Sequence, residues 1–430
     1  MSRPDPDVDQ NLSSDPLNRK GFSPRLQRKI EQSAERTERT RRRTKPFLML
    51  AGAVALLAVV LIFPWKTLNF QNNAASGPLH TTEPMAQTAV APPPPVSTAL
   101  LIGLRTEHVE KNPKRVLSST TYSSYRTLLI APIRGQLQTT AEGPGILMPY
   151  KHNFWKIDSL THKTPTDEFH YLVTHPADQK AKPETFTDKT DEEMHHVETL
   201  LFAGNEYVSV EETEEVWRGN APAQFKRIWV RAVPQMTEAR TLDFSAGRAD
   251  TRHVSIQDVF GAGTQGIIDD LAGNIKGSLP PAELNGESWT IARNPGQWVA
   301  KAAETFRFSN HHAEGYSLVG FPKPLPEKVV SHDTLCCAWS NIQSNWPEAT
   351  DALTSPMNDV TVIVKPGKLE FYPFGLLNNR EPLYTVELQP GEQLVMAQWA
   401  TDHYVQDWID RVGKHLAQDS VHDVNVDEAE

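Results

Sequence analysis

An α+β chain, with a single N-terminal transmembrane helix ahead of a mainly antiparallel β extracytoplasmic region carrying a few packed helices, is predicted by three observations. Phe47 to Phe63 is a run of seventeen residues without a charge or a strongly hydrogen-bonding side chain. Nine of the twelve Lys and Arg residues of positions 1–46 stand between Arg25 and Lys45, against one flank of that run. From Leu100 onward, short segments rich in β-branched and aromatic residues are punctuated by Gly, Pro and Asn, the pattern of short strands joined by turns.

Residues 1–46 form the first segment. Up to position 21 they are polar and broken by Pro4, Pro6 and Pro16, with too little apolar surface to fold alone. Ser23-Pro24 then supplies an N-cap and a first-turn proline, and Leu26, Ile30 and Ala34 recur at four-residue spacing among charges. A basic juxtamembrane helix follows from that spacing, either as a solvated stop-transfer segment or as a docking surface for anionic lipid.

The apolar run, extended by Pro64 and Trp65, defines a span over 47–65. At about 1.5 Å rise per residue it approaches the roughly 30 Å hydrocarbon core of a bilayer, and it has no polar face for a soluble surface. Arg41, Arg42, Arg43 and Lys45 orient it, because an excess of basic residues holds its flank in the cytoplasm; only Lys66 is basic on the other side until Arg105. Trp65 suits the outer interface. The N-terminus is therefore expected inside and everything after Trp65 outside. A cleaved secretory signal competes with this reading, but no A-x-A site closely follows the run, which favours an uncleaved signal anchor.

Residues 66–99 read as a linker: Asn72-Asn73, Gly77-Pro78 and Pro92 to Pro95 lie in a stretch without apolar rhythm, and the proline run favours a semi-rigid extended spacer. A β-rich domain is expected over 100–245, with strands at Arg126–Ile130, Gly145–Met148, Phe154–Ile157, Phe169–Val173, Glu206–Val210 and Lys226–Arg231. Pro176 to Glu193 is a polar insertion, expected as a surface loop.

An α+β domain is expected over 246–418. Ser255 to Phe260 and Thr264 to Ile275 predict two short helices. Asn294-Pro-Gly-Gln297, Lys365-Pro-Gly-Lys368 and Gln389-Pro-Gly-Glu392 each predict a type II turn, since Pro sets a negative φ and Gly accepts a positive one. Val360–Val364, Leu369–Phe374, Leu383–Leu388 and Gln393–Ala397 then predict a four-stranded meander. A closing helix, N-capped by Thr401 with Tyr404, Val405, Trp408, Ile409, Val412 and Leu416 on one face, is expected to cover it. Residues 419–430 form an acidic tail.

Charge and cysteine bound the function. Residues 1–46 carry twelve basic and seven acidic groups, a net +5, and the remainder carries 31 against 46, a net −15. An acidic exterior argues against nucleic acid as a partner. The two cysteines, Cys336 and Cys337, are adjacent, so the fold must rest on its core rather than on a disulfide framework; two half-buried thiols are expected, with a vicinal or intermolecular bridge as the alternative.

Chemistry-bearing motifs are sparse. Gly261-Ala-Gly263-Thr-Gln-Gly266 fits G-x-G-x-x-G, but a dinucleotide site needs a strand before it, and the preceding residues read as helix. His195-His196 and His311-His312 lack zinc-ligand spacing and read as incidental surface histidines. Glu211-Glu212 and Glu214-Glu215 read as a solvated strand end. No catalytic, metal or cofactor-binding residue is nominated, and no cofactor is expected.

The helix Ser255-Ile-Gln-Asp-Val-Phe260, a second helix to Ile275 and strands ending in Lys368-Leu-Glu-Phe-Tyr372, on a single-pass chain, resemble the extracytoplasmic sensor domains of bacterial lysozyme-binding anti-sigma factors. The resemblance spans residues 250–390, about a third of the chain. Val395-Met-Ala-Gln-Trp399 followed by an amphipathic helix is similar to an uncharacterised group of bacterial membrane-anchored proteins. These resemblances imply no activity and carry over no functional residue. The segment 1–46 has neither Cys nor His, so a zinc-type anti-sigma domain is absent from it. The expected role is binding or sensing in the bacterial envelope without catalysis, with the lipid bilayer and an envelope or secreted protein as partners. An assembly role in a membrane complex and a cell-wall-active enzyme are the alternatives.

Overall fold

Ala99-Leu-Leu-Ile-Gly-Leu104 is apolar at almost every position, as a strand covered on both faces must be. In the computed structural model, which describes residues 95–417 apart from 112–118, 165, 183–184, 187–192, 219–220, 238–240, 243–252, 275–281, 309–312 and 376–380, this run opens β1 (Ala99–Lys111). It is followed by β2 (Ser119–Ile133), β3 (Gln136–Pro144), β4 (Ile146–Tyr150), β5 (Asn153–Lys163), β6 (Glu168–Pro176), β7 (Thr185–Phe186), β8 (Glu193–Ala203), β9 (Tyr207–Arg218), β10 (Ala221–Ala232) and β11 (Thr241–Leu242). The second half holds helices α1 (Ile256–Phe260) and α2 (Gln265–Asn274), then β12 (Ala282–Glu283), β13 (Trp289–Asn294), β14 (Gln297–Phe308) and β15 (Ala313–Gly320). Helix α3 (Trp339–Asn345), strands β16 (Asp351–Thr354), β17 (Val360–Lys365), β18 (Lys368–Pro373), β19 (Tyr384–Glu387) and β20 (Gln393–Ala400), and helix α4 (His403–Ala417) complete it.

The described part is sheet-dominated and mostly antiparallel, with few helices. A central sheet runs β20-β1-β2-β3. Its two faces explain the unbroken apolar run. Leu100, Ile102, Leu104, Leu128 and Ile130 pack against Val360, Val362, Leu369 and Phe371 of the sheet β16-β17-β18-β19. Ala99, Leu101 and Leu129 face the other way, into a core with Ile146, Met148, Phe154, Leu172 and Leu200 of the large sheet and with Val405, Trp408, Val412 and Leu416 of α4. Gly103 is required at the tightest approach: a Cβ there would lie 2.9 Å from both the Ile146 Cδ1 and the Met396 Cβ. The large sheet runs β12-β14-β15-β10-β9-β8-β6-β5-β4, with β13 also pairing β14. Its parallel pairings are β6 with β8 and β10 with β15.

Several expectations hold. The hairpin β13–β14 turns at Pro295-Gly296, with Gly296 at φ +83°, and Gly367 and Gly391 have the same positive φ. Ser255 caps α1 by accepting from the Asp258 N–H, while Asp258 accepts from the Ser255 N–H. Val405, Trp408, Val412 and Leu416 are the buried face of α4.

Others are corrected. The fourth strand of the expected meander, β20, leaves it to pair antiparallel with β1, and β16 adds a strand at the opposite edge, beside β17. Helix α4 accordingly covers the central sheet and β4, not the meander, whose outer face is covered instead by Ile342 of α3. Tyr404 is exposed, one step off the buried stripe. The division expected at 245/246 cuts through two sheets, because β1 pairs with β20 and β10 with β15. Within the second half, Arg293 ties β13 to β16, donating to both carboxylate oxygens of Asp351, to Asp333 and to the Ala352 carbonyl. Cys336 and Cys337 are free, half-buried thiols with their Sγ atoms 3.1 Å apart, and burial pushes the Cys337 thiol up to about 12.

The segments 1–46, 47–65 and 419–430, His311-His312 and nearly all of the linker lie outside the described residues. Among the described residues no helix is long and apolar enough to cross a membrane.

Candidate functional site

Alternation along β8 and β9 sends neighbouring side chains to opposite faces of the large sheet. His195, Val197, Thr199 and Leu201 share one face with Glu211, Thr213 and Glu215, since the register sets His195 against Glu215 and Thr199 against Glu211. Across this face lies the β1–β2 hairpin. Its pairing brings Arg105 opposite Tyr125 and Glu107 opposite Ser123. Between the two lies a polar cleft of about 500 Å³, walled on the hairpin side by Arg105, Glu107, Thr121 and Ser123.

Each end of the cleft is anchored by a contact between the layers. At one end the Tyr125 hydroxyl accepts from the Leu200 N–H at 2.8 Å, and burial pushes its pKa up to about 12. Arg105 donates there through Nη1 to the Leu200 carbonyl at 3.3 Å and through Nη2 to Gln393 Oε1 at 2.7 Å. At the other end Thr120 Oγ1 and His195 Nδ1 lie 3.2 Å apart, while Tyr122 stacks on His170 with ring centroids 4.5 Å apart.

The charges lining the cleft are unevenly satisfied. Glu211 is held by Lys226 at 3.1 Å and by the Tyr316 hydroxyl, whose pKa is raised by burial and by the Glu211 charge. Glu215 accepts from the neutral Gln224 amide at 2.7 Å. Arg105 is only 8% exposed, yet its partners are neutral oxygens and its Nε has no acceptor. Among the described residues no carboxylate lies within 4.0 Å of its guanidinium.

Thr120, His195 and Glu193 form a hydroxyl, imidazole and carboxylate row, with His195 Nε2 3.5 Å from Glu193. Hydrolytic chemistry would also need donors aimed at a developing oxyanion. The lining beside His195 offers Glu215 instead, an acceptor that would repel one. The arrangement suits holding a polar solute better than attacking one.

The opposite face carries buried charge. Arg231 donates to Glu198 Oε1 at 3.1 Å and to Glu212, which also accepts from Trp229 Nε1 at 3.1 Å. Arg227 bridges Glu214 at 3.2 Å and Glu314 at 3.4 Å, and His196 Nδ1 lies 3.6 Å from Glu214. This corrects two expectations. His195 and His196 are buried strand residues, not loop residues at the surface, and Glu212 and Glu214 are buried members of a paired charge ladder, not a solvated strand end. Burial requires such partners, because an isolated charge in the interior costs several kcal/mol.

Stability should report the His196–Glu214 pair. Burial alone would lower the imidazole, but Glu214, with the charges of Glu198 and Glu212, more than offsets it and raises His196 above its ordinary 6.5. Burial would raise the Glu214 carboxyl, and His196 and Arg227 together bring it below its ordinary 4.5. The imidazolium's contribution is complete below pH 6.5 and is lost as pH climbs through the folded value. That of the carboxylate is complete above pH 4.5 and is lost as pH falls through its folded value. Urea unfolding of wild type and His196→Gln should therefore differ most between these two pH values and converge on either side. A difference flat from pH 4 to 9 would refute the pairing.

Gly261 to Gly266 runs from the end of α1 into the first turn of α2, with Gly261 at φ +88° closing α1, so no strand delivers the turn that a dinucleotide site needs. Among the described residues no group of three or more His, Cys, Asp and Glu side chains could hold a metal ion. The orienting residues Arg41, Arg42, Arg43, Lys45 and Trp65 lie outside the described residues. Arg105 went unnoticed in the sequence because a lone Arg in a strand carries no local mark; its place beside the apolar run Ala99 to Leu104 was the available signal, since it continues a strand with both faces covered. Comparison with protein-family models, with curated proteins and with solved structures finds no match to this chain.

Proposed function

We propose that the chain is a membrane-anchored binding or sensing protein of the bacterial envelope, its folded part held outside by the span at 47–65 and the spacer at 66–99, and that it takes a small polar solute in the cleft between the β1–β2 hairpin and β8–β9 without transforming it. The observation that carries this reading is Arg105, a nearly buried cation on the wall of a cleft of ligand size whose hydrogen-bond partners among the described residues are neutral oxygens. The apolar run and the Arg41, Arg42, Arg43 and Lys45 cluster support the location and the orientation. The cleft is built by strands of two sheets, so occupancy would be felt by the hairpin β1–β2, and β1 is the strand into which the spacer leads.

Thermal unfolding of the full chain in detergent, with and without the dialysable fraction of an envelope extract, tests the reading. A ligand present at a hundred times its Kd stabilises the folded state by about 2.7 kcal/mol. The melting temperature should rise for wild type and stay unchanged for Arg105→Gln. An extract without effect on wild type, or with equal effect on both proteins, would overturn it.

A further inference from the structure

We infer that the ligand of this cleft is a short peptide of about four residues, bound in extended form with its free carboxylate against Arg105 and its free amine at the Glu215 end; this rests on the binding function proposed above. The carboxylate follows from Arg105. Its Nη1 and Nη2 donate to neutral oxygens, the Leu200 carbonyl and the Gln393 side chain, its Nε is itself buried, and no carboxylate among the described residues balances its charge. A guanidinium so buried gains most from a single planar anion, the geometry its fork is built to hold. A dianion such as phosphate is disfavoured, because Glu211 and Glu107 line the same cleft and Lys226 is engaged with Glu211.

The amine follows from the far end. Glu215 has a neutral amide as its hydrogen-bond partner, whereas Glu107, an exposed carboxylate on the facing wall, stands only two residues from Arg105 along β1, between the two ends. A dipolar ligand satisfies both signs where an organic acid would satisfy one. Length follows from the register. Arg105 engages Leu200, whereas Glu215 is paired with His195, five residues back along β8. At about 3.3 Å per strand residue that is roughly 16 Å between the two levels. A free amino acid is too short to reach both, whereas about four extended residues, at 3.3–3.6 Å each, bridge most of it with the side chains closing the remainder.

Between the ends, Thr121, Ser123, Thr199 and Thr213 supply hydroxyls that both donate and accept, as successive peptide groups require. The described lining holds no Phe, Tyr or Trp, and its one aromatic ring, the His195 imidazole, lies 3.2 Å from the Thr120 hydroxyl, so a nucleobase would find no large ring to stack on.

Calorimetric titration of the full chain in detergent with tetra-alanine, its C-terminal amide, its N-acetyl form and alanine tests the assignment. Tetra-alanine should bind, and the amide should bind at least tenfold more weakly, as expected for losing a hydrogen bond to a charged group. The N-acetyl form should bind several-fold more weakly, and alanine should not bind at millimolar concentration. In Arg105→Gln the acid and the amide should become equivalent. If that variant fails to fold, Glu215→Gln supplies the second reading: it should erase the preference for a free amine while keeping the preference for a free acid. Equal binding of acid and amide by wild type, or no binding of either, would overturn the peptide assignment. A melting-temperature rise with the envelope extract but none with the peptides would overturn this assignment alone, and absence of both would overturn the binding function with it.

Discussion

Replacing Arg231 by Met will destabilise the folded chain by about 3–5 kcal/mol, the cost of removing one partner from a buried ionic group. Arg231 is 1% exposed and stands between two carboxylates, Glu198 and Glu212, that are buried with it. The Leu172 N–H also reaches Glu198 Oε2 at 2.8 Å, and Trp229 Nε1 reaches Glu212. Without the guanidinium, two buried like charges remain facing each other without the cation between them. The triple replacement Glu198→Leu, Glu212→Leu, Arg231→Met should recover most of the loss, because the penalty belongs to the unpaired charges and not to the missing contact. Urea unfolding of the full chain measures both. A single variant within about 1 kcal/mol of wild type, or a triple variant worse than the single, would refute this account of the ladder.

Asp359→Ala will release the entry of the chain into β1. Asp359 collects donors from the Ser97 N–H at 2.6 Å, the Ser97 hydroxyl at 2.9 Å, the Thr98 N–H at 3.1 Å, the Thr98 hydroxyl at 2.8 Å and the Ser355 hydroxyl at 2.5 Å. Thr98 and Ser355 are buried, so their donors would be left without water as well as without the carboxylate. At about 1–3 kcal/mol for each buried donor left unmet, the expected loss is roughly 3–5 kcal/mol. Burial alone would raise the Asp359 carboxyl, and this set of donors holds it below its ordinary 3.8. Its contribution is therefore complete above pH 3.8 and is lost as pH falls through the folded value. Hydrogen exchange at residues 97–102 should quicken in the variant at neutral pH, and in wild type below that range. Unchanged exchange at neutral pH in the variant would show that β1 is held by its strand partners alone.

Particular residues show how far the fold was readable. The Pro-Gly turns at 295, 366 and 390 were readable because φ is set within one residue. The Ser255 cap was readable because its partner is three residues away. The partners of β20 were not. Its alternation tells which residues turn inward, and the same alternation fits β19 and β1 equally well; β1 won because it carries apolar residues on both faces and needs a neighbour on each edge. The helix α4 followed β20, so its packing surface changed with that choice.

The charge ladder was misread for a related reason. Hydropathy treats Glu211 to Glu215 as solvent-seeking whatever stands opposite. Period-two spacing was the signal available: His196 and Glu198 on β8, Glu212 and Glu214 on β9, and Arg227 and Arg231 on β10 share one face with complementary signs. The cleft had no comparable mark, since its walls come from residues about ninety positions apart.

What could be read from the linear chain is local: the apolar run with arginines on one flank, the turns, the cap and the amphipathic face of the last helix each rest on residues close together in sequence. The pairing of distant strands, the burial of Glu212 and Glu214 and the isolation of Arg105 came from the folded arrangement. They depend on which surfaces meet, and a side chain's free energy is set by its neighbours and its access to water, neither of which is written at its own position.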